Sequence, residues 1–312
     1  AALCTAFKKN AQVNTTLTRL DLTANRFEAE GSSALAGFLA QPNALTLLSI
    51  RDCAASLDLI LGALNRGTSR EIKELDISAN KIPAKSSHLS VFVKSSSTIT
   101  RLNVSATAFT AEMLKELLMS IKGNPYLQSV ELIASKNGFG IAGARVLMDE
   151  GGDMTNITSL DISENDFDDE AMIAVCHGLS RSASVKKLDL SRNMPSKGRA
   201  RDLAIEGLIN LITSPESALE HLTFQGGKGT QLGADMIRLI DAMGDAILSG
   251  LDITGHGIGN KGASSLGKML QSNHALHSLI WDENGTTLVG FKNFRKGLKR
   301  NSTLKSMSLP IL

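Results

Sequence analysis

The fold class that this sequence predicts is α/β: a leucine-rich-repeat solenoid of the ribonuclease-inhibitor-like horseshoe type. Parallel strands are expected on its concave face and helices on its convex face. Three observations predict it. The stretch "LTRLDLTAN" at Leu17 returns as "IKELDISAN" at Ile72, "ITSLDISEN" at Ile157 and "VKKLDLSRN" at Val185. Its frame, apolar-x-x-apolar-x-apolar, begins at Leu17, Leu45, Ile72, Ile99, Leu127, Ile157, Val185, Leu219, Leu248, Leu276 and Leu304. Between these frames, Gly31-Leu35-Leu39, Gly262-Leu266-Leu270 and Gly290-Phe294-Leu298 place apolar residues one helical turn apart. A repeat of about 28 residues holds one short strand, one tight turn and one full helix. Strands stack about 4.8 Å apart and helices need about 10 Å, so such a stack curves.

Taken in order, "LCTAFKKNAQVNTT" before the first frame reads as the tail of a preceding helix. The units then follow at 27 to 34 residues, with slack near residue 137 and in 195–215. The longest unit contains "SRNMPSKGRAR" (Ser191–Arg201), which reads as a protruding basic loop. In the tenth unit Leu276, Leu279 and Trp281 occupy the three apolar slots, so the single Trp is expected in the core. Ser278, Ile280 and Asp282 then face the concave surface. Residues 1–312 are expected to form one domain of about eleven repeats. The chain starts at Ala and stops at "SMSLPIL", which reads as a fragment of a larger multidomain protein.

Asn25, Asn80, Asn165, Asn193 and Asn284 stand three residues past the last strand slot, and Cys53 takes that place in the second unit. A buried amide there bonds the backbone of neighbouring turns, so these residues are expected to be structural. "GFGIAG" (Gly138, Gly140, Gly143) matches a dinucleotide fingerprint, but "GHGIGNKG" repeats the glycines at the same point of a later unit. The repeat explains both as turns.

A net charge of +2 supplies no field for nucleic acid. The three cysteines, far apart and odd in number, make no disulfide framework. No metal-ligand cluster, nucleophile motif or phosphate loop stands out, so no catalytic residue, metal or cofactor is assigned.

The concave face is expected to offer Arg19, Asp21, Arg51, Glu74, Asp76, Arg101, Glu131, Asp161, Lys187, Asp189, Asp252 and Asp282. Asp21, Asp76, Asp161, Asp189 and Asp252 share one column. That column is either an acidic stripe for a basic partner or a set of aspartates bonded to the adjacent Ser or Thr. The last helix carries Lys292, Arg295, Lys296 and Lys299, followed by Arg300, and four of these lie on one face. They either meet an acidic lipid or protein surface or are simply solvated.

Four stretches sharpen the reading: "NITSLDISENDFDDE", "LSGLDITGHGIGNKGASSLGKMLQSN", "HSLIWDENGTTLVGF" and "NSTLKSMSLPI". The Trp-Asp strand, the Gly-Phe helix start and the Met-x-x-Pro strand resemble the leucine-rich domain of the CARMIL family. That resemblance implies a non-enzymatic scaffold in a regulator of actin filament assembly, linking capping protein, the actin-nucleating complex and myosin-I. It implies a cytoplasmic place at the cell cortex, and a fragment that is monomeric and has no uncapping activity of its own. A weak contact with an acidic membrane and no nucleic-acid partner complete the expectation. Two alternatives stay open: the sensor repeats of a nucleotide-binding innate-immune receptor, and a leucine-rich activator of a small GTPase.

Overall fold

The computed structural model describes residues 2–67 and 71–308. Eleven short strands lie in one sheet whose order follows the chain. They are β1 (Arg19–Asp21), β2 (Leu47–Ser49), β3 (Glu74–Asp76), β4 (Arg101–Asn103), β5 (Val130–Ile133), β6 (Ile157–Asp161), β7 (Lys187–Asp189), β8 (His221–Thr223), β9 (Gly250–Asp252), β10 (Ser278–Ile280) and β11 (Ser306–Met307). The pairings described are all parallel. Two helices, α1 (Ala2–Lys9) and α2 (Ala11–Thr16), precede the first strand, where the sequence suggested one helical tail. Helices follow the strands: α3 (Ala29–Leu39), α4 (Leu57–Arg66), α5 (His88–Ser95), α6 (Ala111–Lys122), α7 (Gly140–Glu150), α8 (Asp169–Leu179), α9 (Arg201–Thr213), α10 (Ala234–Asp241), α11 (Gly259–Ser272) and α12 (Leu288–Leu298). This is the strand–helix alternation of a leucine-rich-repeat solenoid. The chain clusters into two compact units, one of Ala1–Gly138 with Thr155–Leu160, the other of Phe139–Met154 with Asp161–Leu312.

Each unit has its own core, set by the period-2 alternation of the strands. In the first, Leu48, Ile50, Leu75, Ile77, Leu102 and Val104 are buried against Leu61, Phe92 and Leu117 of the helices. In the second, Leu188, Leu190, Leu251, Ile253 and Leu279 do the same against Val175, Leu208 and Leu266. Trp281 is 0% exposed and lies 4.8 Å from the ring of Phe294 and 5.6 Å from that of Phe291. It fills volume between β10 and α12, as a large side chain in a repeat slot does.

The turns after the strands form a hydrogen-bonded ladder. Asn80 Nδ2 donates to the carbonyls of Ile50, Ile77 and Ser78 at 2.8–3.0 Å, while its Oδ1 accepts from Cys53 N and Ala55 N. Asn193 bonds Ile162 O, Asn165 N and Phe167 N in the same way, and Asn284 bonds Ile253 O, His256 N and Ile258 N. Each side chain therefore satisfies backbone groups of the preceding turn that burial would otherwise leave unpaired. Cys53 Sγ donates to Leu22 O at 2.9 Å, Thr107 Oγ1 donates to Val104 O at 2.8 Å, and His256 Nε2 bonds Phe224 O at 2.6 Å. So thiol, hydroxyl and imidazole stand in for the amide in three units. Asn25, expected to be buried, is exposed, and its amide reaches only Leu22 O and Thr23 O.

The fifth unit differs from the sequence frame. Its slots were set at Leu127, Val130 and Leu132, but Leu102 of β4 pairs with Leu132 of β5, two residues further on. Ala134 is the next buried slot, and Asn137 takes the asparagine place, bonding Thr107 N and Phe109 N at 3.0 Å. Leu127, Val130 and Leu132 are all buried, so hydrophobicity could not fix the register. The slack read near residue 137 therefore lies before the strand. The last frame runs into Leu309 and Pro310, outside the described residues.

Ser191–Arg201, read as a protruding loop, is tied at its far end. Arg201 Nε donates to Asp169 Oδ1 at 2.9 Å, Ala200 N donates to Asp169 Oδ2, and Asp169 is buried at the start of α8. Arg192 and Pro195–Arg199 are exposed. Gly198 lies so close to this carboxylate that a Cβ there would displace it. In "GFGIAG" the turn and packing account for the glycines: Gly138 and Gly140 have φ of +65° and +49°, and a Cβ on Gly143 would meet Phe139 Cβ at 2.4 Å.

Candidate interaction surfaces

Strand residues that alternate with the core slots form an outward face in each unit. In the first, Arg19 and Asp21 on β1 are exposed, as is Arg51 just past β2, while Glu74, Asp76, Arg101 and Glu131 are half-buried. Arg101 pairs with Glu131 directly across β4 and β5. Asp76 Oδ2 accepts from Asn103 Nδ2 at 3.1 Å. A depression of about 130 Å³ lies among Asp21, Leu47, Ser49, Glu74, Asp76 and Arg101. Cations and carboxylates thus alternate here, and neither sign dominates.

In the second unit Asp161, Asp189, Asp252 and Asp282 are half-buried, and Lys187 is exposed. Asp282 lies past the end of β10, not on it, and accepts from Ser308 Oγ at 3.1 Å. The aspartate column is interrupted in both units. Ser49 separates Asp21 from Asp76, and Thr223 separates Asp189 from Asp252. In each of the five aspartates, Oδ1 accepts the backbone N–H two residues on: Thr23, Ser78, Ser163, Ser191 and Thr254, at 2.8–3.0 Å. These bonds close the turn that follows each strand. The column therefore has a local structural task.

Asp189 has a distinctive environment. Burial pushes its carboxyl up to about 6, with repulsion from Asp161 and Asp252 adding to the shift and bonds from Ser191 opposing it. Nearby in the same unit, burial pushes His256 down to about 4. Its Nδ1 accepts from Leu232 N at 3.3 Å, so the proton of the neutral ring sits on Nε2 and is donated to Phe224 O. The sequence reading passed over His256. Its signal was a polar residue at the asparagine place, three past Phe224's counterpart Ile253.

The model of the CARMIL family's leucine-rich-repeat domain matches residues 1–312. The chain belongs to the CARMIL family. It is 45% identical over 98% of its length to Protein CARMIL of Dictyostelium discoideum, of which it covers 29%. It is 31% identical over 99% of its length to the rat capping protein, Arp2/3 and myosin-I linker protein 3, covering 23% of that protein. The chain thus spans less than a third of either relative. Among solved structures, the leucine-rich-repeat protein LegL7 of Legionella pneumophila superposes with a TM-score of 0.60 at 15% identity, over 92% of this chain and 89% of that one. That likeness concerns the fold alone. No helix among the described residues is long and apolar enough to cross a membrane.

In this CARMIL-family chain the basic residues of the last helix, Lys292, Arg295, Lys296 and Lys299, with Arg300, are all exposed. Arg300 donates to Gln271 of α11 at 3.1 Å. A second asparagine ladder, which the sequence reading missed, braces the helix ends. Asn124, Asn273 and Asn301 each donate to two carbonyls near the end of the preceding helix. Their signal was Asn-x-x-Leu, three residues ahead of Leu127, Leu276 and Leu304.

Proposed function

We propose that this chain is a non-enzymatic protein-interaction platform in a regulator of actin filament assembly. It would work at the cell cortex inside a protein that links capping protein, Arp2/3 and myosin-I. The observation that carries the reading is the 45% identity to Protein CARMIL along nearly the whole chain. The surface is consistent with it. The outward strand face of the first unit combines exposed Arg19, Asp21 and Arg51 with a shallow depression, as a rigid polar contact surface would.

The test is capture of purified capping protein, Arp2/3 complex and myosin-I by the immobilised chain. At least one should bind, and Arg19→Glu with Arg51→Glu should weaken that binding by about tenfold or more. Both arginines are exposed, so the variant should fold. Capture of none of the three by the parent chain would remove the reading. Unchanged capture by the double variant would move the contact off this face. Acceleration of GTP hydrolysis by a small GTPase would favour the GTPase-activating alternative.

A further inference from the structure

Helices α11 and α12 contain no Asp or Glu. Their charged side chains, Lys261, Lys268, Lys292, Arg295 and Lys296, are all cations and all exposed, as are Lys299 and Arg300 just beyond α12. Seven cations on two neighbouring helices, in a chain of net charge +2, leave the remainder net acidic. Among the described residues none of Lys261, Lys268, Lys292, Arg295, Lys296 and Lys299 has a carboxylate within ion-pair distance.

The two helices form a single platform. Gly297 packs so closely on the backbone of Gly267 that no Cβ fits between them. Asn260 Oδ1 accepts from Thr287 N and Gly290 N, and Asn293 donates to Ser264. Helical periodicity puts Leu288, Lys292, Arg295 and Lys299 in one row of α12, and Val289, Lys296 and Arg300 in the next. Leu288 is 68% exposed and Val289 60%. Beside them, a groove of about 560 Å³ has Lys261 and Lys268 on its walls with Asn260, Ser264 and Asn293.

We propose that the outer face of α11 and α12 docks on an acidic lipid bilayer. Lys261, Lys268, Lys292, Arg295, Lys296 and Lys299 lie at headgroup level, and Leu288 and Val289 enter the interface. A bilayer fits better than an acidic peptide for two reasons. The cations occupy several rows on two helices, which a planar charged surface reaches together, whereas a peptide in the groove meets only those beside it. Leu288 and Val289 protrude, which suits a soft apolar medium and not a recessed pocket. The Leu288 row is also unlike a helix–helix seam. Where α11 presents Asn260, Ser264, Gly267 and Gln271 to α12, α12 presents Leu288, Lys292, Arg295 and Lys299. Three like charges on long side chains disfavour a second helix at that distance.

The experiment is co-sedimentation of the chain with phosphatidylcholine vesicles, with and without phosphatidylserine, at low and high salt. Binding should need phosphatidylserine and weaken with salt. Replacing Lys292, Arg295, Lys296 and Lys299 with Glu should cut it by about tenfold or more. Leu288→Ser with Val289→Ser should cut it by roughly threefold or more. Lys94→Glu with Lys115→Glu, on α5 and α6, should leave it unchanged. Trp281 emission checks that α12 remains seated in every variant, because the indole packs on Phe291 and Phe294. The proposal is overturned by no binding to acidic vesicles, by an equal loss in the α5–α6 variant, by indifference to the Leu288 and Val289 changes, or by capture of a soluble poly-glutamate peptide without vesicle binding.

Discussion

At the scale of single residues, the asparagine ladder separates buried from exposed amides of the same type. Asn80 is 2% exposed and bonds groups of its own and the preceding turn, whereas Asn25 bonds only its own turn in open solvent. Asn80→Ala strands the N–H groups of Cys53 and Ala55 and removes the donor to three buried carbonyls, at a cost of about 3 kcal/mol or more. Asn25→Ala should cost less than about 1 kcal/mol, since water replaces its bonds. Urea unfolding of both variants measures this; equal losses would mean that the ladder adds nothing beyond the local turn. The asparagine places were legible because their spacing from the strand slots is fixed. The backbone around them was not. Ala24, Ala79 and Ala106, each one residue before the ladder position, have φ between +53° and +58°. Alanine has no preference for that region. It is held there by bonds such as Ala79 N to Ser105 O and Ala106 N to Ser135 O, from residues about a repeat away.

At the scale of elements, helix spacing depends on glycines whose roles differ. A Cβ on Gly297 would lie 1.7 Å from Gly267 O, so Gly297→Ala must push α12 off α11. We expect a loss of about 2–3 kcal/mol in urea unfolding followed by Trp281 emission. Gly140 has open space around it and φ of +49°, so Gly140→Ala should cost only about 1 kcal/mol. If the two losses were equal, backbone conformation and not close approach would set the cost at Gly297. The sequence showed glycines at helical spacing in α3, α11 and α12. It could not show which neighbour each one meets, because that neighbour belongs to another repeat.

At the scale of the whole molecule, pH dependence is a sum over groups that oppose each other. His256 is neutral in the fold down to about 4 but titrates near 6.5 when unfolded. Its contribution is complete above 6.5 and is lost as pH falls towards 4. Asp189 titrates near 6 in the fold and near 3.8 when unfolded. It therefore favours the folded state more as pH falls from 6 towards 4. The two slopes nearly cancel between pH 4 and 6, so those groups leave the parent chain almost flat there. His256→Asn, which installs the amide other repeats use, should make stability rise on acidification, by up to about 1.4 kcal/mol per pH unit. Asp189→Asn should make it fall by a similar slope. Trp281 emission in urea at several pH values reads both, and parallel curves for the two variants would refute the opposed titrations. Neither shift was visible in the sequence, where both residues look like ordinary turn and strand positions.

The sequence by itself determined which side chains enter the core, because a strand alternates its faces and a helix repeats every 3.6 residues whatever surrounds them. That placed the core slots of strands such as β2, β3, β4, β8, β9 and β10, together with Trp281 and the buried asparagines Asn80, Asn165, Asn193 and Asn284. Only the tertiary structure decided the register of β5, because Val130 and Leu132 are equally apolar and the choice falls to pairing with Leu102. It alone decided which charges remain free. Arg101 is paired by Glu131 and the five aspartates by their own turns, while Lys292, Arg295, Lys296 and Lys299 face solvent. The reason is physical: an ion pair or a close helix contact depends on what stands one repeat away in the chain and about 5–10 Å away in space.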